Sequence, residues 1–95
     1  MPKGYVIGRA VVTNASKWAE YAAKAGEAMQ KYGGQPLARG GHMTVAEGQG
    51  VARNVVIEFA SYEAAKAYAF SPEYNEARKL REGAGSIDLV VVEGV

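Results

Sequence analysis

The chain alternates between short runs of β-branched and apolar residues and longer segments in which apolar residues recur at helical spacing. Residues 5–12 (YVIGRAVV) and 52–60 (ARNVVIEFA) are runs of the first kind and predict two strands. Residues 36–46 (PLARGGHMTVA) and 86–94 (SIDLVVVEG) predict two more. Residues 47–50 (EGQG) are typical of a turn, which would join the second and third predicted strands.

Two helical segments separate these strands. In the first, Asn14 is a candidate N-cap and Gly33 follows the last apolar position, where a helix often ends at positive φ. In the second, Ser61 caps a short helix, and Ser71 followed by Pro72 starts another. The apolar positions of the first segment recur at helical spacing and predict a buried stripe: Trp18, Tyr21, Ala22, Ala25, Met29 and Tyr32.

The order of elements, β-α-β-β-α-β, predicts an α+β fold of the ferredoxin-like type. In this arrangement one antiparallel sheet carries two helices on one face. The 95 residues are enough for a single domain, residues 1–95.

The face of the sheet without helices is expected to be apolar. Strands with one face in water alternate between apolar and polar residues, but Arg9 is the only polar residue inside the first strand and Asp88 the only one inside the fourth. A second copy packed against this face would bury it, which predicts a two-fold homodimer. The alternative is a monomer with a half-apolar sheet in solvent.

The bare face also carries the candidate polar site. If EGQG is a tight four-residue turn, Arg39 lies opposite Glu58, and Met43 lies opposite Asn54. Because alternate residues of a strand share one face, Arg9 is expected on this face as well. A register slip of one residue would move Arg39 to the opposite face. The remaining neighbours of the polar site would be Tyr5 and Ile7.

Two residues are candidates for catalysis. Glu58 lies in an apolar strand, so it either forms a structural ion pair with Arg9 or Arg39 or acts as a polar anchor or general base. In the second case the arginines would hold an anionic group of the substrate. Histidine as a residue type has an ordinary pKa that suits a general base. The alternation of side chains along the strand, however, places His42 away from Arg39 and Glu58, as a surface or helix-side residue.

Two further features have both a structural and a functional interpretation. Tyr74 and Arg81 lie seven residues apart on one predicted helix face, where they either line the mouth of a ligand pocket or form a packing tyrosine and a solvated arginine. Gly40 and Gly41 beside Arg39 mark a bulge, a close approach of the partner's backbone, or a close approach of a ligand.

Composition excludes several classes of function. With 11 basic and 10 acidic side chains, the chain lacks the excess of positive charge that attracts nucleic acid. The third strand also lacks the aromatic pattern of RNA-binding sheets. It has no cysteine and one histidine, so we expect no metal site, and without a glycine-rich phosphate motif we expect no cofactor. No apolar run is long enough to cross a membrane, and we expect a cytoplasmic protein.

A set of short motifs runs in order along nearly the whole chain: GY at 4–5, YGG at 32–34, LARGG at 37–41, EG at 47–48, VVIEF at 55–59, SPEY at 71–74, R at 81 and VEG at 92–94. In these motifs the chain resembles the domain of unknown function 1330, a family of small bacterial proteins of the dimeric α+β barrel type. The resemblance implies a ferredoxin-like subunit that pairs into a barrel, and it implies no agreed activity. One departure is the start of the first helix, where the family tends to have Asp-Pro and this chain has Asn-Ala.

Three functions therefore remain open. The first is a pocket on the sheet face for a small organic molecule, with arginines that favour an anion. The second is a cofactor-free enzyme, since similar barrels include monooxygenases, isomerases and lyases, an inference that rests on fold analogy alone. The third is a non-catalytic structural or stress-type module. The sequence leaves enzymatic activity undecided.

Overall fold

A computed structural model describes residues 2–95 of the chain. One four-stranded sheet has the strand order β2-β3-β1-β4, and all neighbouring strands are antiparallel. This confirms the predicted α+β, ferredoxin-like class, with the second helical segment divided into two helices. The elements are β1 (Gly4–Val12), α1 (Ala15–Lys31), β2 (Gln35–Arg39), β3 (Arg53–Phe59), α2 (Tyr62–Ala69), α3 (Pro72–Lys79) and β4 (Gly85–Glu93).

The helices begin at the predicted capping residues. The side-chain oxygen of Asn14 accepts a hydrogen bond from the Lys17 amide at 3.1 Å, which satisfies one of the free amides of the first turn of α1. Ser61 and Ser71 do the same for α2 and α3. Gly33, with φ of 77°, follows the end of α1 as predicted.

The core lies between the helices and one face of the sheet. Val6 and Phe59 are the largest side chains that are fully buried, and the Phe59 ring stacks on Tyr68 with ring centroids 5.2 Å apart. Trp18 and Tyr21 of α1 are buried as predicted. Helix α1 packs along α3, whereas α2 lies over β1 and β4.

The second strand is shorter than the predicted range of residues 36–46. It ends at Arg39 because Gly40 adopts a left-handed conformation with φ of 67°, which a strand does not continue through. The amide of Gly40 still donates to the carbonyl of Asn54 at 2.9 Å, as the last bond between the two segments. Residues 41–52, including the predicted EGQG turn, form an irregular loop.

The predicted register between β2 and β3 is wrong. Gln35, not Arg39, lies opposite Glu58, and Arg39 lies opposite Val55. A bulge between Pro36 and Ala38 inserts an extra residue, so Arg39 points to the helix side of the sheet together with Val55. The prediction failed because a long loop replaces the tight turn on which the residue pairing depended.

The side of the sheet without helices, which we call the open face, is exposed in the single chain. It carries Tyr5, Ile7, Arg9 and Val11 of β1, as predicted. On β4, Val90 is 54% exposed. The apolar surface that the sequence predicted is therefore present, and within one chain it faces solvent.

Candidate functional site

The polar site predicted on the open face is dispersed. Glu58 lies opposite Tyr5, whose hydroxyl donates to the Glu58 carboxylate at 3.3 Å. Arg9 lies opposite Asn54, which precedes Glu58 by four positions in β3. At the usual rise per residue, the backbones of Asn54 and Glu58 are about 13 Å apart. In the chain from residue 2 to 95 the Glu58 carboxylate forms no ion pair. Partial burial, and then the Glu58 charge, raise the pKa of Tyr5, so the Tyr5 phenol stays neutral and donates its hydrogen bond.

The loop after β2 occupies the neighbourhood of Arg9. The Arg9 guanidinium donates to the Gln49 carbonyl at 3.4 Å, and the side-chain amide of Asn54 donates to the Met43 sulfur at 3.2 Å. A surface depression of about 490 Å³ lies between this loop and the sheet. Met43 therefore contacts Asn54, although the two do not pair in a ladder.

Arg39 lies away from that region, on the helix side of the sheet, so the predicted grouping of Arg9, Arg39 and Glu58 is corrected. His42 is an exposed residue of the loop itself and does not line the depression beside Arg9. The binding roles of Arg9, Tyr5 and Glu58 stay predictions, as do the catalytic roles of Glu58 and His42.

A ligand-sized concavity lies on the helix side of the sheet. It has a volume of about 540 Å³, within the range typical of small-molecule sites, and is bounded by α2, α3 and β4. We call it the helix-side groove. The residues that matter for its chemistry are the cationic side chains Lys66, Arg78 and Arg81, the aromatic side chains Phe70 and Tyr74, and the aliphatic wall Ile87, Leu89 and Val91.

The groove brings together Tyr74 and Arg81, the pair predicted to line a pocket mouth. They do not share a helix, because α3 ends at Lys79 and Arg81 lies in the following turn. Tyr74 is only 2% exposed, so it is also a packing residue, in agreement with the structural interpretation. Arg81 is not a fully solvated side chain, because its guanidinium lies over the Tyr21 ring, 4.9 Å from the ring centroid.

One nitrogen of Arg81 is buried without a hydrogen-bond partner. Among residues 2–95, the Nη1 atom of Arg81 is the buried side-chain polar atom for which the structure provides no acceptor. Buried donors in native proteins are nearly always paired, and an unpaired one costs about 1–3 kcal/mol. This nitrogen is enclosed by the protein itself, whereas the Arg81 residue as a whole is half-buried and lines the groove.

Two tyrosine hydroxyls meet beside Arg81. The hydroxyl oxygens of Tyr21 and Tyr74 are 2.7 Å apart, in a buried contact between residues 53 positions apart in the chain. Burial is the largest cause that raises the pKa of Tyr21, and the neighbouring Tyr74 raises it further, whereas the Arg81 charge opposes the rise. Tyr21 is therefore a neutral phenol at ordinary pH and serves as a hydrogen-bond donor or acceptor.

The charged residues of the groove are all basic. The Lys66 Nζ atom lies 3.9 Å from the Glu63 Oε2 atom, and the Arg78 guanidinium donates to the Asn75 side-chain oxygen at 3.3 Å. No carboxylate is among the residues that line the groove. A concave surface with one sign of charge concentrates ions of the opposite sign. Lys66 and Phe70 were not singled out in the sequence, because nothing in their local spacing separates them from ordinary helix residues.

The described part of the chain contains neither a cluster of metal ligands nor a membrane-spanning helix. Nowhere in residues 2–95 do three or more His, Cys, Asp or Glu side chains converge as metal ligands would. None of the helices in that range is long and apolar enough to span a membrane.

Similar solved structures share the fold. The RPA0582 protein of unknown function from Rhodopseudomonas palustris has a TM-score of 0.77 and 18% identity, over 99% of this chain and 83% of that one. SnoaB, a cofactor-independent oxygenase from Streptomyces nogalater, has a TM-score of 0.62 and 10% identity, over 97% and 92%. A dimeric protein of unknown function and ferredoxin-like fold from Bacteroides fragilis has a TM-score of 0.50 and 20% identity, over 97% and 94%. Identities this low show the fold alone.

Sequence comparison defines the family. No curated protein sequence matches the chain. Residues 3–95 match the family described as Domain of unknown function (DUF1330), which confirms the resemblance of its motifs. The chain therefore belongs to the DUF1330 family.

Proposed function

We propose that the protein binds a small organic anion in the helix-side groove. The observation that carries the proposal is the convergence of three basic side chains, with no carboxylate among the residues that line the groove. A carboxylate accepts two parallel hydrogen bonds from a guanidinium, and Arg81 contributes a guanidinium to this groove. Lys66 and Arg78 line the same groove and add positive charge around the bound anion.

The rest of the groove indicates what the anion is attached to. Opposite the basic residues, β4 presents Ile87, Leu89 and Val91, and Phe70 at the rim is 74% exposed. Burial of apolar ligand surface against such a wall contributes about 25 cal/mol per Å². The ligand that fits both halves is a carboxylate with an aromatic or broad aliphatic body.

Calorimetric titration with benzoate and cinnamate, each paired with its uncharged amide, tests this proposal. We expect saturable binding of the acids and none of the amides. We expect Arg81→Gln to weaken binding at least tenfold, since a charge-assisted hydrogen bond contributes about 1.5–3 kcal/mol. Lys24→Gln, which removes one positive charge from an exposed position of α1, is the matched control and should bind normally. Equal affinity of the Arg81→Gln variant, or of the amides, would contradict the proposal.

A second candidate is a cofactor-free enzyme acting on the same anion. The observation that favours it is the hydroxyl pair of Tyr21 and Tyr74, which lies beside Arg81 and holds a phenol in its neutral form. Such a phenol donates a hydrogen bond to negative charge that develops during a reaction. If the protein is an enzyme, Tyr74→Phe should abolish product formation from a bound acid and leave its affinity nearly unchanged. Product formation at the wild-type rate in this variant would exclude the role of the pair.

We also propose that a second copy of the chain covers the open face. Val11, Val90 and Val92 are each at least 43% exposed on this face of the single chain. Apolar patches of this kind on soluble proteins usually mark an interface. The dimeric relative of the same fold from Bacteroides fragilis is consistent with this assembly.

A further inference from the structure

A second cavity lies on the helix side, between α1 and the sheet. We call it the α1 cleft. It has a volume of about 80 Å³ and is distinct from the helix-side groove. Of the two hydrogen-bonded tyrosines, Tyr21 lines the cleft. Its walls are mostly apolar, and the side chains that matter here are Trp18, Met29, Val55, Ile57 and Leu89. Apolar walls favour the burial of apolar groups of a ligand.

Two arginines line the same cleft. Arg39 lies opposite Val55, and Arg53 lies two positions before Val55 on the same face of β3. The Cα atoms of diagonal neighbours in an antiparallel strand pair are about 7–8 Å apart. Neither guanidinium forms an ion pair or a hydrogen bond with any residue from 2 to 95, although each carries a full positive charge.

The glycine after Arg39 shapes this rim. Gly40 turns the chain with φ of 67°, and a Cβ atom built on it would lie 3.3 Å from the Nη1 atom of Arg53. The bare backbone of Gly40 therefore lets the Arg53 guanidinium lie close against the end of β2. The left-handed turn also ends the strand directly after Arg39, which lines the cleft together with Arg53.

We propose that the α1 cleft is a second ligand site, which binds a short-chain aliphatic carboxylate with its head group between Arg39 and Arg53. A carboxylate accepts hydrogen bonds from guanidinium groups, and no acidic side chain lines the cleft to compete for them. The apolar chain of the ligand then enters the cleft among Trp18, Met29 and Ile57. This site uses none of the basic residues of the helix-side groove.

The size of the cleft selects a narrow ligand. The cleft has a volume of about 80 Å³, against about 540 Å³ for the helix-side groove. We therefore expect a thin, unbranched chain to enter it more readily than an aromatic ring system. The ligand class is therefore distinct from the aromatic or broad aliphatic acid proposed for the helix-side groove.

Titration of the full chain with pentanoate, followed by calorimetry and amide chemical shifts, tests the proposal, with pentan-1-ol as the uncharged control. We expect pentanoate to bind and pentan-1-ol not to bind. Arg39→Gln and Arg53→Gln should each weaken binding about tenfold. Arg81→Gln should leave pentanoate binding unchanged, which separates this site from the groove. Absence of pentanoate binding, or its loss only in Arg81→Gln, would overturn the proposal.

A steric variant tests the cleft without removing charge. Gly26 of α1 lines the cleft, and a Cβ atom added to it would meet no atom within 4 Å. Gly26→Met should fill the cleft, keep the fold because methionine is a better helix former, and abolish pentanoate binding. Ala23→Met, at an exposed position of the same helix, is the control and should bind normally. Normal pentanoate binding in a folded Gly26→Met variant would refute the site, whatever benzoate does in the groove.

Discussion

Glu73 and Arg81 are charged residues with opposite surroundings. The Glu73 carboxylate pairs with Lys31 and accepts a hydrogen bond from the Tyr32 hydroxyl at 2.9 Å, so it joins the end of α1 to the start of α3. The Lys31 ammonium first, then the Glu73 backbone amide and the Tyr32 hydroxyl, lower the pKa of Glu73 to about 2. Arg81 instead lines the helix-side groove and forms no ion pair with any residue from 2 to 95. Glu73 is therefore a structural residue, and Arg81 is the candidate for binding.

The lowered pKa of Glu73 makes stability depend on acid. Because the folded-state pKa is about 2 and the ordinary value is 4.5, the contribution of this carboxylate is complete above pH 4.5 and is lost as the pH falls through about 2. Glu73→Gln should lower the free energy of unfolding at pH 7, and its difference from the wild type should shrink between pH 4.5 and 2. Urea unfolding followed by circular dichroism at several pH values measures this difference.

The matched control is Glu76→Gln, which removes an exposed carboxylate paired with Lys79 on the same helix. Exposed pairs within one helix contribute little, so this variant should follow the wild type at every pH. A difference between Glu73→Gln and the wild type that stays constant from pH 7 to 2 would contradict the proposed role of Glu73.

At the scale of elements, local sequence signals predicted where the helices begin but not the length and register of β2. Asn14, Ser61 and Ser71 were identified as caps because capping depends on neighbouring residues alone. The length and register of β2 depend on the loop 41–52 and on a bulge, and no local pattern of apolar residues reveals either. The predicted Arg39–Glu58 pair failed for this reason.

Ser71 is expected to contribute more to stability than Ser61. The Ser71 hydroxyl accepts from the Tyr74 amide at 3.0 Å and donates to the Tyr68 carbonyl at 2.8 Å, and the residue is 3% exposed. Ser71→Ala should therefore cost about 2 kcal/mol of unfolding free energy, and Ser61→Ala, which loses one half-exposed cap bond, about 1 kcal/mol. Urea midpoints of the two variants measure the difference. Equal losses would show that the second hydrogen bond contributes nothing.

At the scale of the whole molecule, the two faces of the sheet have different roles. The helix side holds the core, the helix-side groove and the α1 cleft, whereas the open face presents exposed valines. The sequence predicted an apolar open face because its strands do not alternate, and the structure agrees. The sequence placed the polar site on that face as well, but the ligand-sized groove with the unpaired arginine lies on the other side.

The proposed dimer predicts the effect of a charge on the open face. Val90→Lys should convert a dimeric wild type into a monomer, since a lysine buried between two sheets would be desolvated without a partner. Ala23→Lys, which adds the same charge to an exposed position of α1, should leave the dimer intact. Light scattering over a range of concentrations measures the mass. A monomeric wild type, or a dimeric Val90→Lys variant, would contradict an interface on this face.

The sequence by itself determined the order of the elements, the helix caps and the two-sided apolar character of the sheet, because each depends on residues close together in the chain. Tertiary structure decided which distant side chains meet. Tyr21, Tyr74 and Arg81 come together only when α1 packs along α3, and Arg39 joins Arg53 only when a bulge and a left-handed turn set the register of β2. Local preferences specify elements, whereas a site made of residues far apart in the chain requires the packed fold.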